Sequence, residues 1–565
     1  MFKYFLIIIL FFMSSIQSQT LTKRDKGLYM KIFDQFRNGN FTDGEINIAK
    51  LDNNILLGHV EALKLLHPTK HRSSFLELKN WLLKYNDHYE SKRIYKLAVR
   101  RMPEGGKSPK KPIAPILEKK YLTKTKDKKD TTNNRSRVFT KENYSKKVSI
   151  YNTIRSRVGR GWPTGALEYF NQNKSIFSDY EKSFLLSKIS NGYYLANLDD
   201  KAIKTLGNES FIKAPYSEGL WIKGLAHYRK QEFEKSSKSF LILSKIANNY
   251  WLESAGAYWS FISSSKMQGK KDIMKASIEA LERTCQKPYN LYSLLSCFVI
   301  NKPIDITLGK NFNELNKNYD QFSQTKLGQR IDALLEINEI GIAEFEINRA
   351  QKISNESFKK IILGFAMNND LSSMQIKTTK SLFGEFADLN LLYPSPKWLD
   401  DLNINGLDKN VVMGLVRQES QFSTFAKSGK SAYGLMQVLP STAKMMDKKK
   451  DFIGNRRLLF DPSINVDVGT KYIKSLLSIK YIQGDLLKTL ISYNAGPGNL
   501  SKWSKKTDYN DDSFLLIESI PSRETRLFVE RVLTNIIVYE FLNNQSENYA
   551  KQLVETNTII LNYDK

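Results

Sequence analysis

The chain has 565 residues, 41% of them hydrophobic, which allows several domains with cores of their own and argues against a largely disordered polymer. Its formal charge of +28 points to a polyanionic partner. Nucleic acid is the first polyanion to consider, but the N-terminus argues against it. There, Lys3 precedes the apolar run Phe5 to Met13, and small and polar residues follow down to Ile16-Gln17-Ser18. This reads as a secretory signal over residues 1–18, with cleavage expected after Ser18. The apolar run is shorter than the roughly 20 residues a bilayer span requires, and no Cys follows it to carry a lipid anchor. No later stretch is long and apolar enough to cross a membrane, so the mature chain is expected to lack an integral membrane segment.

Residues 19–104 alternate helical apolar patterns with short breakers, and Leu63, Leu66, Leu76, Trp81, Leu82, Ile94, Leu97 and Ala98 are expected in a core. His67 and His71 stand four apart, but Pro68 between them breaks a shared helix face, so they are assigned structural or surface roles and no metal is expected. Residues 105–148 lose the apolar period and fill with Lys, Ser, Thr and Asn (PKKP, KTKDKKD, NNRSR), the composition of a basic flexible linker. Helical pairs return over 149–392. WIKGLAHYRKQEFEKSSKSF, from Trp221 to Phe240, approximates a tetratricopeptide unit, and its neighbours are similar hairpins, which together suggest an α-superhelical solenoid. The only two cysteines, Cys285 and Cys297, flank Lys287-Pro288; a disulfide and a pair of free buried thiols are both open. Tyr393-Pro394-Ser395-Pro396 punctuates the chain and marks the start of a further domain, 393–545, followed by a tail, 546–565.

The chemistry concentrates in that domain. In GLVRQESQFSTFAKSGKSAYGLMQVLPSTAK, from Gly414 to Lys444, the apolar spacing of Val411, Val412, Leu415 and Val416 behind the cap Asp408 predicts a helix over 409–420. Glu419 then falls in its last turn, where the negative end of the helix dipole biases a carboxyl toward the protonated form that a general acid needs. Ser420 is placed to hydrogen-bond it, and residues 433–437 to fold over it. A lone Glu at a helix end is otherwise an ordinary surface residue, so the assignment depends on the motifs downstream of it in the chain. All five histidines lie before the motif region, at 59, 67, 71, 88 and 227, and neither Cys lies within it. The domain therefore cannot build a Ser/His/Asp triad, a Cys/His dyad or a histidine-ligated zinc site, which leaves carboxylate chemistry with no cofactor and no metal.

Three more motifs occur in order: FDPSINVDVGTKYI from Phe460, SYNAGPGNLSKW from Ser492 to Trp503, and ESIPSRETRLFVERVL from Glu518. Together with the first, they resemble the catalytic domain of the soluble lytic murein transglycosylases (the transglycosylase SLT domain of the lysozyme-like superfamily), over about 393 to 541. Two small-for-small departures occur, Ser431 for the usual Gly and Ser492 for the usual Ala. The resemblance implies an all-α protein, an N-terminal helical solenoid followed by a lysozyme-like α-helical catalytic domain. It implies Glu419 as the catalytic residue and a substrate groove drawing on Ser420, Met436, Gln437, Tyr493, Asn494, Glu518, Glu524, Arg526 and Tyr539. One of Glu518 and Glu524 is expected to line the groove; Met436 could equally be packing, and Tyr539 core. Asp461 and Asn465 are read as structural. The implied substrate is the glycan of peptidoglycan in the periplasm, a polyanion that suits the basic charge, and other cell-wall enzymes are admissible partners. The alternatives are a hydrolytic muramidase, which needs a second carboxylate, and a non-catalytic wall-binding scaffold, which has no use for Glu419.

Overall fold

The computed structural model describes residues 20–122, 138–304, 320–543 and 548–561. The expected signal segment with its cleavage point, and the middle of the basic stretch, 123–137, lie outside them. The protein is all-α: among the described residues, β pairing is confined to isolated bridges. No described helix is long and apolar enough to cross a membrane. The chain divides into two compact units, residues 1–125 with 311–382 and residues 126–310 with 383–565.

The first unit departs from the boundaries read in the sequence, because 320–382 packs with the N-terminal helices and not as the end of a superhelix begun at 149. Helix Lys23–Asn38 starts at Thr22, whose side chain accepts from Asp25 N, and ends at Gly39 in a left-handed conformation with φ 82°. It buries Tyr29, Ile32, Phe33 and Phe36 against Ile331, Leu334, Ile347, Phe358 and Phe365. Periodicity shows that a helix face is apolar; it does not choose the partner. The first part of the basic stretch is tethered, not free. Ile113 N donates to Asn86 O at 3.0 Å, Tyr121 packs on Phe358 with ring centroids 4.3 Å apart, and Asn355 N donates to Tyr121 O at 2.9 Å. His67 and His71 bond locally, to Arg37 O at 3.2 Å and to Glu77 at 3.0 Å.

In the second unit the basic stretch ends early, since helix Tyr144–Gly159 begins inside it and Lys147 is buried in an ion pair with Glu181 at 2.9 Å. The hairpins expected from the tetratricopeptide-like pattern are present: Ser217–Arg229 with Phe233–Ile246, then Tyr250–Ser265 with Lys271–Cys285. Gly224 lets the first pair close, because a Cβ there would lie 2.5 Å from the Phe240 ring. Buried hydroxyls satisfy one another, Ser237 with Ser260 between the hairpins at 3.0 Å and Ser260 with Ser277 within the second at 2.7 Å. Cys285 and Cys297 form a disulfide, with Cα atoms 4.9 Å apart.

The rest of this unit is a cluster of helices built around Lys409–Ser420 and the long helix Arg523–Leu542. Gly414 permits their contact: a Cβ at that position would fall 2.6 Å from Ile536 Cγ1 and 3.1 Å from Ile536 N. The expected tail is part of this body. Its helix Asn548–Thr556 buries Leu553, and Leu486 N donates to Ile559 O at 2.8 Å. Superhelix and cluster share a seam in which Trp259 stacks on Phe514 at 5.6 Å and Tyr194 Oη meets Ser519 Oγ at 2.6 Å.

Candidate active site

Helix Lys409–Ser420 has the bounds its sequence predicts, with Asp408 accepting from the Asn410 and Val411 amides. Its C-terminus reverses sharply, because Gln421 and Phe422 both take left-handed backbone, φ 50° and 62°. Glu419 is therefore held in the last turn, just before the chain turns back. Its side chain keeps a partial opening to solvent, yet the protein packed around it removes most of its hydration, and this burial pushes the carboxyl up to about 8. Desolvation is the cause of that rise, where the sequence pointed to the helix dipole. At neutral pH the group is protonated and can donate.

The turn formed by residues 433–437 is linked to this carboxyl through Tyr493, which senses the Glu419 charge and bonds Met436 O. Tyr433 bridges both Lys427 and Val438, and Gly434, at φ 74°, approaches so closely that a Cβ would sit 2.1 Å from Leu459 O. The turn is fastened from behind by Asn465, which is fully buried: its Oδ1 accepts from Met436 N at 2.8 Å, and its Nδ2 donates to Tyr433 O and Leu459 O, both at 2.8 Å. Tyr493, on helix Leu486–Ala495, donates its hydroxyl to Met436 O at 2.7 Å. Burial raises the Tyr493 phenol well above its ordinary value, and the nearby Glu419 charge raises it further. Glu419, the turn and Tyr493 thus form one locus. Tyr472 adjoins it, its ring 5.7 Å from that of Tyr493.

The other expected groove residues are placed differently. Ser420 is buried and donates to Val416 O at 3.1 Å, so it is spent inside its own helix. The Gln437 amide donates to Ala426 O at 3.1 Å and Gly434 O at 2.9 Å, closing the turn, while Met436 is wholly buried. Tyr539 belongs to the core: it is fully buried, donates to Pro394 O at 3.0 Å and meets Tyr393 edge-on. Glu518 does not line a groove, because it is buried in the seam and accepts from Tyr292 of the superhelix. Arg526 donates to Ile520 O at 2.8 Å. Asn494 accepts from Thr525 Oγ1 at 2.9 Å and so ties the last motif to the helix bearing Tyr493. Of the three carboxylates in that motif, Glu518 and Glu530 are buried and Glu524 is the one that reaches solvent, 3.6 Å from Lys430.

Two residues of this arrangement were not assigned to the site from sequence. Asn465 was legible only as part of a helix-start motif, although a buried Asn with four bonding positions is suited to hold a turn. Arg417 lies over the Tyr393 ring, 3.6 Å from its centroid, and donates to Leu392 O at 3.0 Å and Asn535 Oδ1 at 2.8 Å. Nothing in its spacing marked it.

This part of the chain is thus an all-helical cluster with a desolvated, partly open carboxyl at Glu419 and a glycine-containing turn tied to Tyr493. Residues 398–515 match the family described as the transglycosylase SLT domain. The soluble lytic murein transglycosylase of Salmonella typhimurium is 32% identical over 144 residues, 25% of this chain and 22% of that protein. That of Escherichia coli K12 is 31% identical over 137 residues, 24% of this chain and 21% of that protein. The matched stretch thus spans about a fifth of the length of these curated relatives. In fold the likeness is broader. The 70 kDa soluble lytic transglycosylase of Escherichia coli superposes with a TM-score of 0.54 at 14% identity, covering 93% of this chain and 98% of that one. Its complex with bulgecin A gives 0.59 at 14% identity, covering 93% and 97%.

Proposed function

We propose that this protein is a periplasmic lytic transglycosylase. It cleaves the β-1,4 bond between N-acetylmuramic acid and N-acetylglucosamine in peptidoglycan without consuming water. The observation that carries this reading is Glu419, a carboxyl raised by burial to about 8 inside an SLT domain. Breaking a glycosidic bond requires a proton on the leaving oxygen while positive charge develops at the anomeric carbon, and an acid still protonated at neutral pH supplies it. Glu419 gives its proton to the N-acetylglucosamine O4 as the C1–O4 bond breaks. The resulting carboxylate then takes the proton of the muramic acid C6 hydroxyl, and O6 bonds to C1 to close a 1,6-anhydro ring. The proton returns to Glu419 and the atoms balance with no water added.

A hydrolase would need a second carboxylate to hold water. Asp447, one acid near the motif, is occupied by Lys450 at 2.8 Å and the Lys449 amide at 2.9 Å, and Glu518 is turned into the seam. Tyr493 supports the same assignment by position, since its bond to the turn fixes one wall beside Glu419. Mass spectrometry of purified sacculi after digestion tests the chemistry. Anhydro-muramic ends are expected, and reducing muramic ends as the main product would mean hydrolysis.

A further inference from the structure

The interior of the first unit holds a group of ionisable side chains that the proposed chemistry does not use. His59 lies in helix Leu57–Leu65, Glu90 caps helix Ser91–Arg100, and Glu346 lies in helix Ile340–Gln351. Three segments remote in sequence therefore bring their side chains together, and these are 0%, 6% and 0% exposed. His59 Nδ1 is 2.9 Å from Glu90 Oε1 and His59 Nε2 is 4.0 Å from Glu346 Oε1; one donor atom from each residue lies within 4.8 Å of the other two. Two atoms of this group, His59 Nε2 and Glu90 Oε2, are buried with no hydrogen-bond partner. A buried polar atom left unpaired costs about 1–3 kcal/mol, so two on touching side chains call for a ligand.

We propose that His59, Glu90 and Glu346 form a site for a divalent transition metal, with zinc the ion best matched to one imidazole and two carboxylates. The guanidinium of Arg330 is paired with Asp87 Oδ2 at 3.0 Å and with the second oxygen of Glu346 at 3.1 Å; its positive charge acts against a cation at His59, and Glu346 and Asp87 act for one. Glu346 Oε1 accepts from Tyr89 N at 2.7 Å and keeps a lone pair for an ion. His88 lies tilted beside His59, at 4.6 Å between centroids, but its Nε2 faces Gly58, so it is not counted as a ligand. Zinc holds its donors at about 2.0–2.2 Å, which sets neighbouring donors about 3.3 Å apart, so closure asks for side-chain shifts of about 1 Å. The bound ion would cross-link the N-terminal helices to helix Ile340–Gln351, a structural role with no part in glycan cleavage.

The full-length protein, stripped with a chelator, incubated with zinc chloride and desalted, should retain about one zinc ion per chain by elemental mass spectrometry, with a raised melting midpoint. Cobalt in place of zinc should give the visible absorption of a low-coordinate nitrogen and oxygen site. Glu90→Gln and His59→Gln should lose the ion while their circular dichroism stays helical, and His71→Gln, outside the cluster, should keep it. Wild-type protein that retains no zinc and leaves the cobalt spectrum that of the aqueous ion overturns the proposal. So does full retention by a folded Glu90→Gln variant, or loss of the ion in His71→Gln. Should both cluster variants fail to fold, the wild-type cobalt spectrum together with His71→Gln decides.

Discussion

Replacing Glu419 with Gln separates the chemistry of this site from its cost in stability. An unfolded glutamate ionises near its ordinary 4.5, whereas the folded protein holds Glu419 protonated up to about 8. Because the folded value is raised, the stability associated with the proton is whole below pH 4.5 and is lost progressively as pH climbs toward 8. At pH 7 the folded state therefore carries a penalty of about 3 kcal/mol, from about 1.4 kcal/mol for each pH unit above the unfolded value. The partial opening of the side chain to solvent makes this an upper figure. Gln keeps the shape and never ionises. Glu419→Gln should thus be more stable than wild type by up to about 3 kcal/mol at pH 7 and equal to it near pH 4, read from urea midpoints of the same transition at the two pH values. Turnover of sacculi should fall by on the order of a hundredfold or more, because the proton donor is gone. A variant equally stabilised at both pH values, or one that keeps wild-type turnover, would refute the reasoning.

Wild-type activity should decline as pH rises through about 8, when Glu419 loses its proton; a profile flat to pH 10 would exclude it as the acid. Asn465→Ala removes three bonds of 2.8 Å that fasten the turn and should cost about 2–4 kcal/mol together with most of the turnover, while Asn465→Asp should recover part of the fold through Met436 N, measured by thermal melts and wall digestion. Gly414→Leu drives a side chain into Ile536 and should destabilise the protein by about 3 kcal/mol or more in urea titrations. Opening the Cys285–Cys297 disulfide, whose ends are 12 residues apart, should lower stability by about 3 kcal/mol in reducing buffer and leave turnover of folded protein unchanged. Exchanging Lys124, Lys126, Lys128, Lys129, Arg135 and Arg137 for Ser should weaken sedimentation with intact wall at low salt and spare turnover of soluble glycan fragments.

Local features of the fold were readable where a single segment determines them. Asp408 and the spacing of Val411, Val412, Leu415 and Val416 fix helix Lys409–Ser420, and the pattern Trp221, Gly224, Phe240 fixes a hairpin. What periodicity could not assign was the partner of each face. Helices within 326–382 read as a continuation of the superhelix because their apolar stripes are of the same kind, yet they bury those stripes on Tyr29, Phe33 and Phe36, far earlier in the chain. The basic stretch misleads similarly. Its composition is that of a solvated chain, but Tyr121 and Lys147, one aromatic and one cation among many polar neighbours, are each captured by a partner far along the sequence, Phe358 and Glu181.

The same limit applies to the site. Motif order brought Glu419 and Tyr493 near one another and tied Tyr493 to the turn at Met436 O, but it did not show that Met436 would be buried and Gln437 spent on closing the turn. Residues of the last motif answer to a different neighbour. Tyr292 donates to Glu518 and Trp251 donates to Glu530, so these two acids of the last motif are buried against the superhelix. Burial raises both carboxyls, and their mutual repulsion adds to the rise at Glu530. A glutamate alone on a sequence carries no sign of whether it will meet water, sugar or a tyrosine. For Glu419 and Glu518 alike, the surroundings that set the proton come from distant parts of the chain, which is why the motifs could name both acids while the structure was needed to show that Glu419 keeps an opening to solvent and Glu518 does not.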